Sequence, residues 1–171
     1  PVLHNVLQQA SHQLGQRNSG LKLVYLDANF PFFDGFPLLP HRSHNDGKKV
    51  DISFIYTSLD GVLVNAKPSW SGYGVFEKPL DRELNQTIIC QQRGYWQYDL
   101  TKYVSFGWGC TLQFSAKMTK ELTGLLITNK NVGKVFIEPH LKTRLDLQND
   151  KVRFHGCNAV RHDDHLHVQL R

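Results

Sequence analysis

Two short segments far apart in the chain concentrate the side chains that bind metals and move protons. The first reads His41-Arg42-Ser43-His44-Asn45-Asp46-Gly47-Lys48-Lys49-Val50-Asp51. The second reads Arg161-His162-Asp163-Asp164-His165-Leu166-His167-Val168-Gln169-Leu170. Together they hold five of the nine histidines. Side chains on a strand alternate between its two faces. A strand over Val50–Tyr56 puts Asp51 and Ser53 on one face and Val50, Ile52 and Phe54 on the other. A strand over Asp164–Leu170 puts His165, His167 and Gln169 on one face and Leu166, Val168 and Leu170 on the other. Each strand then has an apolar back for a core and a front carrying ligand-type groups.

Gly47 supplies a turn between His44 and Asp51, so both side chains can aim at one point. Two imidazoles and one carboxylate make a three-ligand set with an open fourth tetrahedral position, the pattern of a catalytic zinc site; structural zinc sites are closed. His165 and His167 lie about 6.6 Å apart between Cα atoms at strand rise, too far for both to be ideal ligands of one ion. One of the pair binds the ion while the other reaches a metal-bound water. Zinc brings the pKa of that water from about 15.7 toward about 7. A neighbouring imidazole is suited to taking and returning a proton near neutrality. In its cationic form it also stabilises a tetrahedral oxyanion. Asp163 and Asp164 read as groups that orient histidines, or as turn residues, rather than as ligands. His4, His12 and His140 read as ordinary polar residues.

The elements that must position these groups follow from periodicity and punctuation. Val2, Leu3, Val6, Leu7, Ala10 and Leu14 recur at helical spacing, which predicts a helix over 2–16. Lys22–Asp27 is apolar and reads as a strand. Residues 28–40, rich in proline and phenylalanine, read as an irregular loop. A helix is expected over Arg82–Gln92, and loop or short strands over Tyr95–Gly109. Met118, Leu122, Leu125 and Leu126 predict a helix over Ser115–Thr128. Val135–Glu138 reads as a strand and Pro139 as the start of a helix to about Leu147. The irregular alternation favours an α+β domain over a doubly wound one, with a central, mostly antiparallel sheet carrying the site on one face. At 171 residues, 1–171 reads as one domain.

Composition bounds the function classes. Hydrophobic residues make up 40% and charged residues 20%, ordinary for a globular chain and unlike disorder or coiled coil. No apolar run approaches the roughly 18 residues of a membrane span. The net charge of +5 is dilute: residues 1–60 balance, 61–120 carry seven basic against four acidic groups, and 121–171 carry eight against six. Without a Lys/Arg block, no nucleic-acid partner is expected. A diffuse positive charge suits a polyanionic surface such as a cell wall or membrane. The three cysteines, Cys90, Cys110 and Cys157, leave either one bridge with a free thiol or three buried thiols, and the second is the expectation because free cysteine is usually buried. The chain opens with Pro1, which reads as a processed or truncated form and leaves room for an upstream targeting segment or membrane tether. No G-x-S-x-G occurs, so a serine hydrolase is not expected.

The two segments resemble the LAS group of zinc metallopeptidases, which takes in lysostaphin-type enzymes, D-alanyl-D-alanine peptidases and the sonic hedgehog zinc domain. The shared marks are a histidine shortly before an aspartate, here His44 and Asp51, and a late His-x-His, here His165-Leu166-His167. The string His162-Asp163-Asp164-His165-Leu166-His167-Val168, together with His41, looks closest to the penicillin-insensitive murein endopeptidases. The segment Val135–Lys142 resembles the strand and helix that precede the final motif in those enzymes. The resemblance covers about 40–56 and 134–170. It implies that His44, Asp51 and His167 are Zn2+ ligands, that His165 is the general base or acid, and that His162 and His41 are further active-site histidines. It also implies hydrolysis of peptide cross-links of peptidoglycan, typically D-alanyl to diaminopimelate, in the periplasm. The alternative is a zinc-containing domain that binds a cell-wall or protein ligand without hydrolysing it. Residues 60–115 lie outside the resemblance; their aromatics Trp70, Tyr73, Tyr95, Trp96 and Trp108 either line a groove or pack.

Overall fold

A computed structural model describes residues 2–28, 44, 46–103 and 111–171. His41, Trp108, Cys110 and the expected loop beyond Ala28 lie outside the described residues.

The fold is α+β, as the irregular alternation predicts. Helix α1 (Val2–Arg17) buries Val6, Ala10 and Leu14, one residue per turn of a single face. Strand β1 (Tyr25–Asp27) leads to β2 (Lys49–Ser53), β3 (Tyr56–Thr57) and β4 (Leu63–Val64). Helix α2 (Gln86–Gln92) is followed by a 3-10 helix over Trp96–Tyr103. Then come β5 (Gln113–Phe114), α3 (Ala116–Thr128), β6 (Val132–Phe136), α4 (Pro139–Arg144), β7 (Val152–Arg153) and β8 (His165–Leu170).

The main sheet has the order β1-β2-β8-β6-β7, antiparallel throughout except for the parallel β6–β7 pair. The last strand of the chain is thus its centre, buried between β2 and β6. Val50, Ile52, Leu166, Val168 and Leu170 join Val6, Leu14, Met118, Leu122 and Leu126 in one hydrophobic cluster. Each fully buried aliphatic side chain there contributes roughly 2 kcal/mol. Helices α1 and α3 therefore cover the apolar back of the sheet and leave its polar front to the loops. Among the described residues no helix is long and apolar enough to cross a membrane.

Several expectations need correction. The strand expected over 50–56 stops at Ser53. Ile55 explains the break: its N–H donates to Thr119 Oγ1 and its carbonyl accepts from Ser115 N–H, so the start of α3 takes the groups a ladder would use. Tyr56–Thr57 then pairs with β4 and β5 in a second, three-stranded sheet. The helix expected from Arg82 begins only at Gln86, where Asn85 Oδ1 accepts the Ile88 N–H at 3.2 Å. Glu83 is drawn away instead, pairing with Arg144 at 2.6 Å. The expected loop or short strands after Tyr95 are a 3-10 helix as far as Tyr103. The expectation of three buried thiols is also overturned: Cys90 and Cys157 form a disulfide.

Candidate metal centre

Strands β2 and β8 pair with Asp51 opposite His167 and Ser53 opposite His165, while Val50 faces Val168 and Ile52 faces Leu166. Directly opposed residues on an antiparallel pair share a face. The register therefore brings the polar fronts of both strands together. His44 enters from the turn before β2, where Gly47 has φ +67°, a left-handed conformation that glycine adopts without strain.

The result is a buried cluster of His44, Asp51 and His167. His44 Nε2 stands 3.1 Å from His167 Nδ1 and 3.3 Å from Asp51 Oδ1, and the last two atoms are 2.7 Å apart. Zinc bonds nitrogen and carboxylate oxygen at roughly 2.0–2.2 Å, which spaces the corners of a tetrahedral set about 3.3 Å apart. The two separations from His44 fit that spacing, and the 2.7 Å one is a hydrogen bond between His167 Nδ1 and Asp51 Oδ1 that an ion would open by about 0.6 Å. The His44 tautomer fits as well: Nδ1–H donates to the Ala28 carbonyl at 3.3 Å, so the Nε2 lone pair faces the cluster. His167 Nε2, buried, finds no hydrogen-bond partner among the described residues. Burial lowers the pKa of His167 although the Asp51 hydrogen bond opposes the shift, so the ring favours the neutral form that a ligand needs.

His165 lies beside this cluster rather than in it. Its Nδ1–H donates to Asp164 Oδ1 at 2.5 Å, which leaves Nε2 with the lone pair, 3.6 Å from Asp51 Oδ2. Asp164 therefore orients a histidine, as expected. Asp163 does not: it accepts two hydrogen bonds from Arg161, whose third goes to Asp99 at 2.7 Å. His162 packs against His165 and His167, with ring centroids 4.9 and 5.6 Å away. Burial, reinforced by its histidine neighbours, drives its pKa well below the ordinary value. It therefore lines the site as a neutral ring, outside the ligand set. His140 lies outside the cluster, buried, with its Nε2–H donating to the Glu77 carbonyl at 2.7 Å.

No protein-family model matches the chain, and no curated protein matches it in sequence. What the site does chemically rests on these side chains alone.

Three further groups surround the cluster. Tyr73 is buried and donates its hydroxyl to Asp51 Oδ2 at 2.9 Å, while its ring meets His165 edge-on at 5.1 Å. Burial and the nearby Asp51 charge raise the pKa of the phenol, keeping it a donor. Trp70 and Trp96, grouped with it in sequence, are 79% and 73% exposed. Glu138 accepts the Tyr98 hydroxyl and the His162 backbone N–H, so it fixes where the chain enters the second motif. Burial lifts its pKa to about 7, the Tyr98 hydrogen bond opposing the shift. His155 stacks on Phe136 at 4.1 Å and on His167 at 5.4 Å. Burial, with the neighbouring His167 next, pushes its pKa down to about 4.

Proposed function

We propose that this chain is a zinc-dependent peptidase that hydrolyses peptide cross-links of peptidoglycan. The observation that carries the reading is the meeting of His44, Asp51 and His167 at hydrogen-bonding distance, with His165 beside them and oriented by Asp164. The resemblance of the same residues to the LAS peptidases supplies the substrate class. His44 through Nε2, Asp51 through Oδ1 and His167 through Nδ1 would hold the ion. An ion held there would supply Lewis-acid chemistry to a scissile carbonyl and lower the pKa of a water.

The protein's own groups do the rest. Asp164 holds the His165 Nδ1–H, so the ring keeps one tautomer and presents Nε2 to accept a proton. Returning that proton to the leaving amine would complete the hydrolysis. His162 walls the site with a neutral ring and adds no charge. The Cys90–Cys157 disulfide supports an extracytoplasmic setting, since such bonds persist in oxidising compartments.

A second reading is favoured by one observation. All three candidate ligands are buried, His44 and Asp51 completely, as in a zinc site that only holds a fold or binds a partner. Mass analysis of muropeptides from sacculi digested with and without chelator separates the two. A new uncrosslinked peptide that disappears with chelator is the expected result. Intact sacculi beside a stoichiometric zinc content would favour the binding domain, and a zinc-free folded protein would remove both readings.

A further inference from the structure

The two oxygens of Asp51 have different neighbours. Oδ1 faces His44 Nε2 at 3.3 Å and His167 Nδ1 at 2.7 Å. Oδ2 takes the Tyr73 hydroxyl at 2.9 Å and lies 3.6 Å from His165 Nε2. A carboxylate can bind a divalent ion through one oxygen or chelate it through both. Chelation by Asp51 would add its second oxygen beside the water that a hydrolytic site needs, and so raise the ion from four- to five-coordinate. We infer that Tyr73 is a positioning residue that keeps Asp51 to one-oxygen coordination and so keeps the ion four-coordinate. The inference rests on the zinc reading above and goes beyond it to a residue outside both histidine motifs.

The loop is built to hold that hydroxyl in place. Ser69 Oγ donates to the Tyr73 carbonyl at 2.8 Å and accepts the Gly72 N–H at 2.9 Å. Ser71 Oγ accepts the Tyr73 N–H at 3.2 Å. Gly72 has φ +92°, a conformation that favours glycine, and a Cβ there would also press on the Leu26 side chain of β1. On the other side, Gly74 N–H donates to Asp164 Oδ2 at 2.7 Å. Two adjacent residues thus anchor two carboxylates. Gly74 fixes the aspartate that orients His165, and Tyr73 fixes Oδ2 of the candidate ligand. A serine pair with no other task would not need to set a buried phenol against a carboxylate already facing two imidazoles.

Cobalt(II) reports coordination number directly, because four-coordinate cobalt absorbs visible light far more strongly than five- or six-coordinate cobalt. The full chain, wild type and Tyr73→Phe, is titrated with cobalt(II) and its visible spectrum recorded. The wild type is expected to show intense four-coordinate bands and the variant bands several-fold weaker, as Oδ2 joins the ion. Identical spectra at equal cobalt occupancy would overturn the inference and leave the zinc reading standing. A wild type that takes up no cobalt or zinc would sink the zinc reading, and this inference with it. Should Tyr73→Phe not fold, X-ray absorption on the zinc-loaded wild type decides. The short metal–carbon distance of a chelating carboxylate would overturn the proposal, and its absence beside two imidazoles would support it.

Discussion

Asp51 sits directly opposite His167 across the β2–β8 pairing, and its Oδ1 lies 2.7 Å from the imidazole Nδ1. Two of the three candidate ligands are thereby fixed by strand register alone. A one-residue slip of either strand would turn that strand's ligand to the apolar side of the sheet. The core on the other face, with Val50, Ile52, Leu166 and Val168 all fully buried, makes that slip costly. Hydrophobic packing on one side of the sheet thus sets polar geometry on the other.

The first prediction concerns metal content. The protein should bind close to one zinc per chain, and Asp51→Ala should weaken binding by more than about a hundredfold, beyond the effect typical of outer-shell changes. Since α1 and α3 pack the opposite face, chelation should lower the melting temperature without abolishing the folded circular dichroism. Elemental analysis and thermal melts with and without chelator check this. Complete unfolding on chelation would indicate a structural ion instead.

His165→Ala separates binding from chemistry. Nε2 of His165 is outside the ligand set, so the variant should hold zinc with unchanged stoichiometry. It should lose hydrolysis by about 10²–10⁴-fold, the usual range for a general acid–base group. Asp164→Asn should fall between the two, because the ring loses its charged orienting partner but keeps Nε2. Equal turnover of His165→Ala and wild type on purified sacculi would remove His165 from the mechanism.

The parts of this arrangement that sequence shows are those with a local period. Alternation along 50–54 and 164–170 places Asp51, His165 and His167 on one front, and the spacing of Val6, Ala10 and Leu14 sets α1. What sequence hides depends on contacts between distant segments. Tyr73 meets Asp51 across 22 residues and Gly74 meets Asp164 across 90, and neither pair has a spacing that a strand or helix would repeat. Arg161 near Asp163 resembles any local charge pair until Asp99, 62 residues away, completes it. The early end of β2 is equally non-local, because α3 captures the polar groups of Ile55.

Glu138 predicts a pH signature in stability. Burial lifts its carboxyl from 4.5 to about 7, so the folded chain holds this proton more tightly than the unfolded chain. The associated stability is full below about pH 4.5 and is lost as pH rises through about 7. His155 acts in the opposite sense: its pKa drops from 6.5 to about 4, so its contribution is present above 6.5 and lost as pH falls through about 4. Glu138→Gln removes only the first effect. The stability of wild type minus variant should therefore decline by on the order of 2–3 kcal/mol from about pH 5 to about pH 8. Parallel urea-denaturation profiles for the two proteins across that range would contradict the assignment.

The disulfide predicts a division between metal binding and turnover. Cys157 lies in the segment between β7 and β8 that also carries His155, Arg161 and His162, and it is bonded to the buried Cys90 of α2. The cross-link spans 67 residues, and by chain entropy a loop of that size is worth roughly 4 kcal/mol. None of His44, Asp51 and His167 lies in that segment, because two come from paired strands and one from the turn before β2. The Cys90→Ser/Cys157→Ser variant should therefore lose stability on that scale and keep its zinc. Its turnover should fall, as His162 and the Arg161 pair lose the tether that seats them beside His165. Zinc titration, denaturation and sacculus digestion on one preparation measure all three. Loss of zinc together with stability would show that the bridge holds the ligands themselves, and unchanged turnover would show that the tethered segment has no part in the site.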